Sequence, residues 1–191
     1  MSKLRLAILG STRGTAMTAL IEATKTKTLG ASIELVISNR RNALILQRAQ
    51  QAGLTAVFID EPEQLLFEQK ATLLLRERQI DLIVLIGYMR ILTESFVTQW
   101  AQRIINVHPS LLPDFAGLRD MLVHEAVLAQ GCIFTGCTVH YVTEEVDRGP
   151  VLIQKKCKVS AHDTKESLKI RVQTLEGEAL IEAISALSSS I

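Results

Sequence analysis

The 191-residue sequence is poor in three features that would each indicate a particular class of protein. It has three cysteines, Cys132, Cys137 and Cys157, which are too few and too odd in number for a disulfide framework. It has no apolar run near the ~20 residues of a membrane span, and its first residues lead into a strand-like run rather than a signal peptide. Its net charge of +1 disfavours an extended nucleic-acid surface, which needs clustered lysine and arginine. We therefore expect a cytoplasmic protein without membrane or nucleic-acid partners.

What the sequence does contain is enough apolar material for one packed core. It is 48% hydrophobic and 21% charged, which is too apolar, at too low a net charge, for a disordered chain. A chain of this length can bury roughly 70% of the surface that it exposes when extended. Because no repeat, low-complexity segment or linker interrupts the sequence, we expect a single domain over residues 1–191.

Short apolar runs rich in β-branched residues alternate with helical patterns along the chain. The predicted strands are 4–9, 32–38, 54–59, 82–86, 104–107, 136–142 and 151–159. The predicted helices are 16–25, 43–51, 63–79, 122–130 and 164–187. Continuous apolar runs are typical of strands covered on both faces, and a βαβ alternation with short connections implies right-handed crossovers. The sequence therefore predicts a doubly wound, mostly parallel open sheet of the α/β class.

The sequence also predicts helix caps and one buried helix face. Asp163 is a candidate N-cap of the last helix, and Gly131 a candidate left-handed cap after the helix before it. Mixed three- and four-residue spacings predict a buried stripe on the third helix. That stripe consists of Leu65, Leu66, Ala71, Leu73 and Leu74.

The first predicted strand ends in a turn that is suited to anions. The segment Gly10-Ser11-Thr12-Arg13-Gly14-Thr15 leads directly into a helix. Glycines and hydroxyls at such a turn expose backbone N–H groups, and the helix N-terminus adds a partial positive charge, so that a phosphate fits. The spacing matches neither G-x-G-x-x-G nor a P-loop, and an ordinary tight turn is the alternative.

A second candidate site follows the predicted strand 104–107. Asn106 and His108 are two residues apart, so both side chains leave the same face of the strand. An amide and an imidazole in one crevice can polarise a carbonyl and stabilise the oxyanion that forms when a nucleophile attacks it. A hydrogen-bonded core histidine is the alternative interpretation of His108.

A carboxylate could complete that site. Asp147 lies in a turn-rich segment between the last two predicted strands, and beside His108 it would favour the imidazolium and fix the orientation of the ring. A turn-initiating aspartate is the alternative. His140 is expected in the core or next to the site, and His124 on the surface of a helix. The cysteines lack the partners of a zinc site, so we expect no metal.

Several motifs, in order along nearly the whole chain, resemble those of the folate-dependent formyltransferases. They are Gly87-Tyr88-Met89-Arg90-Ile91-Leu92, Asn106-Val107-His108-Pro109-Ser110-Leu111-Leu112-Pro113 with Gly117, Gly136-Cys137-Thr138-Val139-His140-Tyr141-Val142, Asp147-Arg148-Gly149-Pro150, and Arg171-Val172-Gln173-Thr174 with Glu176. The resemblance implies a Rossmann-like formyltransferase fold. It also implies formyl transfer from 10-formyltetrahydrofolate, as co-substrate, to the amine of glycinamide ribonucleotide (GAR) in purine biosynthesis.

The resemblance also assigns roles to residues at the matching positions. His108 would stabilise the oxyanion and assist proton transfer, and Asn106 would hydrogen-bond the formyl oxygen. Asp147 would keep His108 charged and order a water that carries protons. No metal and no covalent intermediate are implied.

Substrate binding is assigned in the same way. The folate-site residues would be Met89, Arg90, Ile91, Leu92 and Asn106, with Val97 behind them. The ribonucleotide phosphate would lie on Gly14, Thr15 and Ala16, and Glu176 would hold the ribose hydroxyls. The N-terminal half would thus bind the ribonucleotide, and the C-terminal half the folate and the catalytic residues, in a monomer or weak homodimer.

The sequence departs from the family at three places that concern the acceptor. The phosphate loop, usually Ser-Gly-x-Gly-Ser-Asn, here runs from Ser11 to Ala16 as Ser-Thr-Arg-Gly-Thr-Ala. Gln64 stands where the family often has arginine, and the segment 118–121 lacks histidines common there. A formyltetrahydrofolate hydrolase, a formyltransferase with another amine acceptor, and a non-catalytic nucleotide-binding module therefore stay open as alternatives.

Overall fold

Seven strands form one open sheet, in the order β3-β2-β1-β4-β5-β6-β7. A computed structural model of the chain describes residues 3–188. The strands are β1 Leu4–Leu9, β2 Ala31–Ser38, β3 Ala56–Phe58, β4 Leu82–Leu85, β5 Ile104–His108, β6 Phe134–Tyr141 and β7 Val151–Lys158. Strands β1 to β5 pair in parallel, and β6 is antiparallel to both of its neighbours. The prediction of a doubly wound, mostly parallel open sheet is confirmed.

Within residues 3–188, six helices connect or follow the strands. They are α1 Met17–Lys25, α2 Leu44–Gln51, α3 Gln64–Glu77, α4 Glu94–Gln99, α5 Met121–Ala129 and α6 Lys165–Ser188. The sequence did not predict the short helix α4, which begins after Thr93, whose hydroxyl accepts a hydrogen bond from the Phe96 N–H (3.3 Å). Gly131 follows α5 with φ +62, which confirms the predicted left-handed cap.

The two faces of the sheet carry separate cores because successive strand side chains point in opposite directions. On one face, Leu6 and Ile8 of β1 pack in the core that α1, α2 and α6 cover. On the other face, Ala7 and Leu9 pack in the core that α3 and α4 cover. The chain winds outward in both directions from β1 and β4, so their carboxyl ends mark the switch point at which open α/β sheets bind ligands.

The buried face of α3 differs from the predicted stripe. Three leucines of that stripe are exposed, namely Leu65, Leu66 and Leu73. The buried face instead includes the polar Glu68, which is 3% exposed. Its carboxylate accepts hydrogen bonds from the Thr93 N–H (2.9 Å) and the Gln64 amide (2.7 Å). These contacts compensate the burial of the polar carboxyl group. The apolar residues of the observed face, Phe67, Ala71 and Leu75, follow a four-residue spacing that the predicted stripe did not use.

The start of α6 corrects a second prediction. Thr164, not Asp163, caps the helix, because the Thr164 hydroxyl accepts from the Ser167 N–H (3.2 Å) while the Ser167 hydroxyl accepts from the Thr164 N–H (3.0 Å). Asp163 instead forms an ion pair with Arg171 (2.7 Å).

Candidate active site

A cleft lies at the carboxyl ends of β1, β4 and β5. Its empty volume is about 1380 Å³, and it is lined by segments 12–16, 85–92, 106–109 and 142–147 together with residues of α5 and α6. Each of these four segments follows or ends a strand of the sheet. The structure therefore brings the predicted anion turn, the segment 87–92 and the pair Asn106 and His108 into one cleft.

Strands β5 and β6 provide a polar floor to the cleft. Asn106 lies opposite His140 in the antiparallel register, and His108 lies opposite Thr138. The residues between them, Val107 and Val139, point to the other face and lie in the apolar core under α6. The alternation along two strands thus separates the chemistry of the site from the packing that supports it.

Asp147 reaches His108 from the loop between β6 and β7. Its Oδ2 lies 3.3 Å from His108 Nδ1 and accepts a hydrogen bond from the Gly117 N–H (2.9 Å). Asp147 has φ +56, a left-handed backbone conformation that aspartate tolerates better than most residues. The predicted proximity of Asp147 and His108 is therefore present, and the loop that carries Gly117 helps to fix it.

Burial and the Asp147 carboxylate shift the pKa of His108 in opposite directions. Burial lowers the pKa of His108 below its ordinary value; Asp147 partly offsets this, and the neighbouring His140 adds to it. Because the cost of burying the cation exceeds the attraction of Asp147, this direction favours a neutral resting ring near pH 7. That Asp147 keeps the ring charged stays a prediction. Among residues 3–188, the buried His108 Nε2 has no hydrogen-bond partner. It is the ring atom left for a ligand.

His140, expected in the core or next to the site, is buried beside it. Its Nε2 lies 3.1 Å from Asn106 Nδ2 and 3.7 Å from Asp147 Oδ1. Burial lowers the pKa of His140, so this ring is also neutral. The sequence indicated that His140 shares a strand face with Thr138, because the two residues are two positions apart on the same strand.

The turn after β1 leaves backbone N–H groups free. No hydrogen bond within the described part of the chain uses the N–H of Gly14, Thr15 or Ala16, and α1 begins directly after them. Gly14 has φ +63, and a Cβ there would overlap the side chain of Ile45. Arg13 beside it is exposed and lines the cleft. Free N–H groups at a helix N-terminus beside an arginine are suited to a phosphate.

The turn is tied to the segment that follows β4. The Ser11 N–H donates to the Gly87 carbonyl (3.0 Å), and the Ser11 hydroxyl accepts from the Met89 N–H (2.9 Å). Thr12 stands where the family usually has glycine, and its hydroxyl occupies the space that a Cβ at Gly87 would need. The departure at Thr12 therefore fits a glycine with φ +58 on the facing segment.

The predicted folate-site residues are only partly available to a ligand. The four that line the cleft are Met89, Arg90, Ile91 and Leu92. The Arg90 guanidinium donates to the Glu61 carbonyl (3.0 Å), and the Met89 carbonyl accepts from Arg119 (2.8 Å). Val97 is buried on α4 and does not line the cleft, so it acts at most as support.

Helices α5 and α6 close the other end of the cleft. Glu176 lines it, and burial raises the pKa of its carboxyl to about 8, with Lys169 opposing this shift. His124 also lines it and is buried, which corrects the expectation of a surface histidine. Burial lowers the pKa of His124 to about 4. Asp120 forms an ion pair with Lys169 and so joins the loop before α5 to α6.

Two further properties bear on the expected partners. Over residues 3–188, no three histidine, cysteine, aspartate or glutamate side chains lie close enough together to hold a metal ion. Within the same range, no helix has the length and apolar character needed to cross a membrane.

Comparison with known proteins defines the class. The family described as Formyl transferase matches residues 4–184, and the chain belongs to this family. It is 37% identical to the phosphoribosylglycinamide formyltransferase of Escherichia coli over 178 residues, which is 91% of this chain and 82% of that protein.

A solved structure and a longer relative complete the comparison. The crystal structure of glycinamide ribonucleotide transformylase 1 from Symbiobacterium toebii superposes with a TM-score of 0.93 at 34% identity, covering 99% of this chain and 89% of that one. The trifunctional purine biosynthetic protein adenosine-3 of Gallus gallus is 40% identical over 98% of this chain. The chain spans only 19% of that relative.

Proposed function

We propose that the chain transfers a formyl group from 10-formyltetrahydrofolate to the amino group of GAR in purine biosynthesis. The observation that carries the proposal is the meeting of Asn106, His108 and Asp147 in a cleft between a turn suited to phosphate and the segment 87–92. The similarity to the Escherichia coli enzyme, over most of both chains, supports GAR as the acceptor.

The acceptor would bind between the turn after β1 and helix α6. Its phosphate would accept hydrogen bonds from the free N–H groups of Gly14, Thr15 and Ala16, with Arg13 close enough in sequence to add charge. Glu176 would bond the ribose hydroxyls, and because its pKa is about 8 its carboxyl can also donate a hydrogen bond near neutral pH. These residues assign ribonucleotide binding to the N-terminal half and α6.

The formyl donor would bind along the segment after β4. Met89 to Leu92 offer backbone groups and the apolar side chains of Ile91 and Leu92 to the pterin ring. Asn106 lies beside Leu85 in the parallel register of β5 and β4, so a donor on this segment brings its formyl group to the polar floor. The folate segment would therefore lie just before the middle of the chain, and the catalytic residues Asn106, His108 and Asp147 in the C-terminal half.

The reaction depends on the correct position and polarisation of the formyl carbonyl more than on activation of the nucleophile, because the amine of GAR is already nucleophilic. The amine of GAR attacks the formyl carbon, a C–N bond forms, and the carbonyl electron pair moves to the oxygen. The Asn106 amide N–H stabilises that oxyanion in a site from which water is largely excluded. Holding the two substrates together removes most of the entropic barrier.

The neutral His108 defines the path of the proton. With Nδ1–H donated to Asp147, the lone pair on Nε2 accepts the proton that the attacking amine loses. The imidazolium that forms is stabilised by the Asp147 carboxylate and by interaction with the oxyanion. It returns the proton to N10 of the folate as the C–N10 bond breaks, so that the products are formylated GAR and tetrahydrofolate.

The remaining expectations belong to the same proposal. The partners are small-molecule substrates alone, the protein is a monomer or a weak homodimer, and the reaction takes place in the cytoplasm with the other steps of purine synthesis. The relatives named for purine biosynthesis support the small-molecule substrates and the cytoplasm, whereas the oligomeric state and the absence of other partners stay predictions.

A spectrophotometric assay of formyl loss from 10-formyltetrahydrofolate, with and without GAR, tests the proposal. Turnover that depends on GAR supports it and shows that the altered phosphate loop is functional. Turnover at the same rate without GAR indicates a hydrolase. Binding of a folate analogue without either reaction indicates a different acceptor and contradicts the proposal.

A further inference from the structure

Both ring nitrogens of the buried His140 have hydrogen-bond partners. Nδ1 lies 2.8 Å from the Tyr141 carbonyl oxygen, and Nε2 lies 3.1 Å from Asn106 Nδ2. The side chain is only 2% exposed, so water does not compete for either atom. These two contacts define which nitrogen carries the proton.

The tautomer follows from what each partner can do. A carbonyl oxygen only accepts, so Nδ1 must carry a hydrogen and donate it to Tyr141. In a neutral ring, Nε2 is then an acceptor, and Asn106 must present an N–H to it. If the amide turned over, Asn106 Oδ1 would face the Nε2 lone pair, and two buried acceptors would repel each other.

We propose that His140 is a positioning residue that fixes the orientation of the Asn106 amide for formyl transfer. One Nδ2 hydrogen goes to His140, which leaves the second as the donor for the developing oxyanion. The inference rests on the proposed function, because it assigns His140 a role through Asn106. His140 itself needs no contact with substrate.

Protonation of His140 would remove this control. An imidazolium has an N–H at Nε2, which can no longer accept from Asn106 and lies 3.7 Å from Asp147 Oδ1. The two titratable neighbours, Asp147 from the loop after β6 and His108 from β5, would then both experience a new charge. Activity should therefore fall as the pH falls through the pKa of His140, which lies below its ordinary value.

The first test reads the tautomer in the unaltered protein. The chain is labelled with 15N at its histidines, and long-range correlation spectra at neutral pH assign both ring nitrogens of His140. We expect a protonated Nδ1 and an unprotonated Nε2. The opposite tautomer, or a ring charged at neutral pH, would overturn the inference, and no variant has to fold for this measurement.

The second test asks whether His140 acts through Asn106. His140→Phe keeps a buried ring but removes the acceptor, and we expect kcat to fall tenfold or more with KM for GAR within about twofold, on the scale of a weakened oxyanion donor. In an Asn106→Ala background the same substitution should change kcat by less than about twofold. Equal losses in both backgrounds would contradict the inference.

A neighbouring residue provides the control. Thr138 lies on the same face of β6 but bonds the loop after β5, accepting from the Leu112 N–H (3.0 Å) and not from Asn106. Thr138→Val should therefore cost the same factor with and without Asn106. If the unaltered chain fails to formylate GAR, the proposed function fails, and the tautomer measurement alone decides whether His140 holds the amide.

Discussion

The adjacent strands β4 and β5 are both buried and pair in parallel, yet the side chains of β4 form core and those of β5 form both core and site. β4 is entirely apolar, with Ile83 on one face and Val84 on the other face of the sheet. β5 begins in the same way, but Asn106 and His108 occupy the face that carries apolar side chains on β4. The core thus ends and the site begins within one strand.

The difference has a physical cost. An amide or imidazole buried without a partner destabilises the fold by about 1–3 kcal/mol. The cost of burying the Asn106 amide is offset by its hydrogen bond to His140, and that of His108 Nδ1 by its contact with Asp147. His108 Nε2, in contrast, has no partner within residues 3–188. Substitutions in β4 should therefore change stability, and substitutions in β5 should change the rate.

The largest effect on the rate is expected for His108→Ala. The substitution removes the group that accepts and returns the proton, so kcat should fall by ~10²-fold or more. The free energy of unfolding should change little, because the side chain that is removed includes a buried nitrogen without a hydrogen-bond partner within residues 3–188. Steady-state assays and thermal unfolding check the two quantities, and near-normal turnover would refute the proposed mechanism.

Ile83→Ala is the matched substitution in β4. Ile83 is fully buried, and its truncation should lower the free energy of unfolding by about 2–5 kcal/mol. Well below its unfolding temperature the variant should keep kcat within about twofold of the unaltered chain. Denaturant unfolding measures the loss, and a fall in kcat like that of His108→Ala would erase the distinction between the strands.

Asp147→Asn should have an intermediate effect and shift the pH dependence. Without the carboxylate, the imidazolium formed during the reaction is less stable, and kcat should fall about tenfold. The resting pKa of His108 should fall further, since Asp147 raises it more than the backbone hydrogen bond to Phe115 does. Because the neutral ring is the active form, the acid limb of kcat/KM should move to lower pH. An unchanged profile would count against this pairing.

The last prediction concerns the phosphate turn, where the effect is expected on the binding of GAR and not on kcat. Gly14→Ala puts a Cβ into a left-handed backbone position and against Ile45, so the turn must shift. We expect KM for GAR to rise about tenfold while the affinity for a folate analogue stays constant. Gly53→Ala is the control, because Gly53 has φ +75 but nothing within 4 Å of its Cβ position. It should lower stability without changing KM; equal KM effects would contradict a role for the turn.

The sequence predicted the elements whose signal is local. Continuous apolar runs predicted the first five strands, and the βαβ alternation predicted a doubly wound, mostly parallel sheet. The last two strands were predicted in the less regular second half, without their place in the strand order. Helix α4 was not predicted because a segment of six residues shows little hydrophobic periodicity, although threonine at position 93 is a residue type that often caps helices. On α3, the four-residue spacing of Phe67, Ala71 and Leu75 was a signal for the buried face, whereas the burial of Glu68 depends on a hydrogen bond from Thr93, 25 residues later in the chain.

The site was predictable in composition but not in charge. The spacing of Asn106 and His108 on one strand predicted their shared face, and the family resemblance suggested Asp147 as their partner. Burial could not be deduced from local pattern, so the sequence predicted neither the lowered pKa of His108 nor the buried position of His124. The role of His140 depends on two contacts, one of them across strands, that only the folded chain defines.

The fate of the formyl carbon tests the central claim most directly. 10-Formyltetrahydrofolate labelled with 13C at the formyl group is incubated with GAR and the chain, and the label is followed by NMR. The account predicts that the label appears in the amide of formylated GAR, and that its appearance is much slower with His108→Ala. Label released as formate, or retained in the folate, would contradict it.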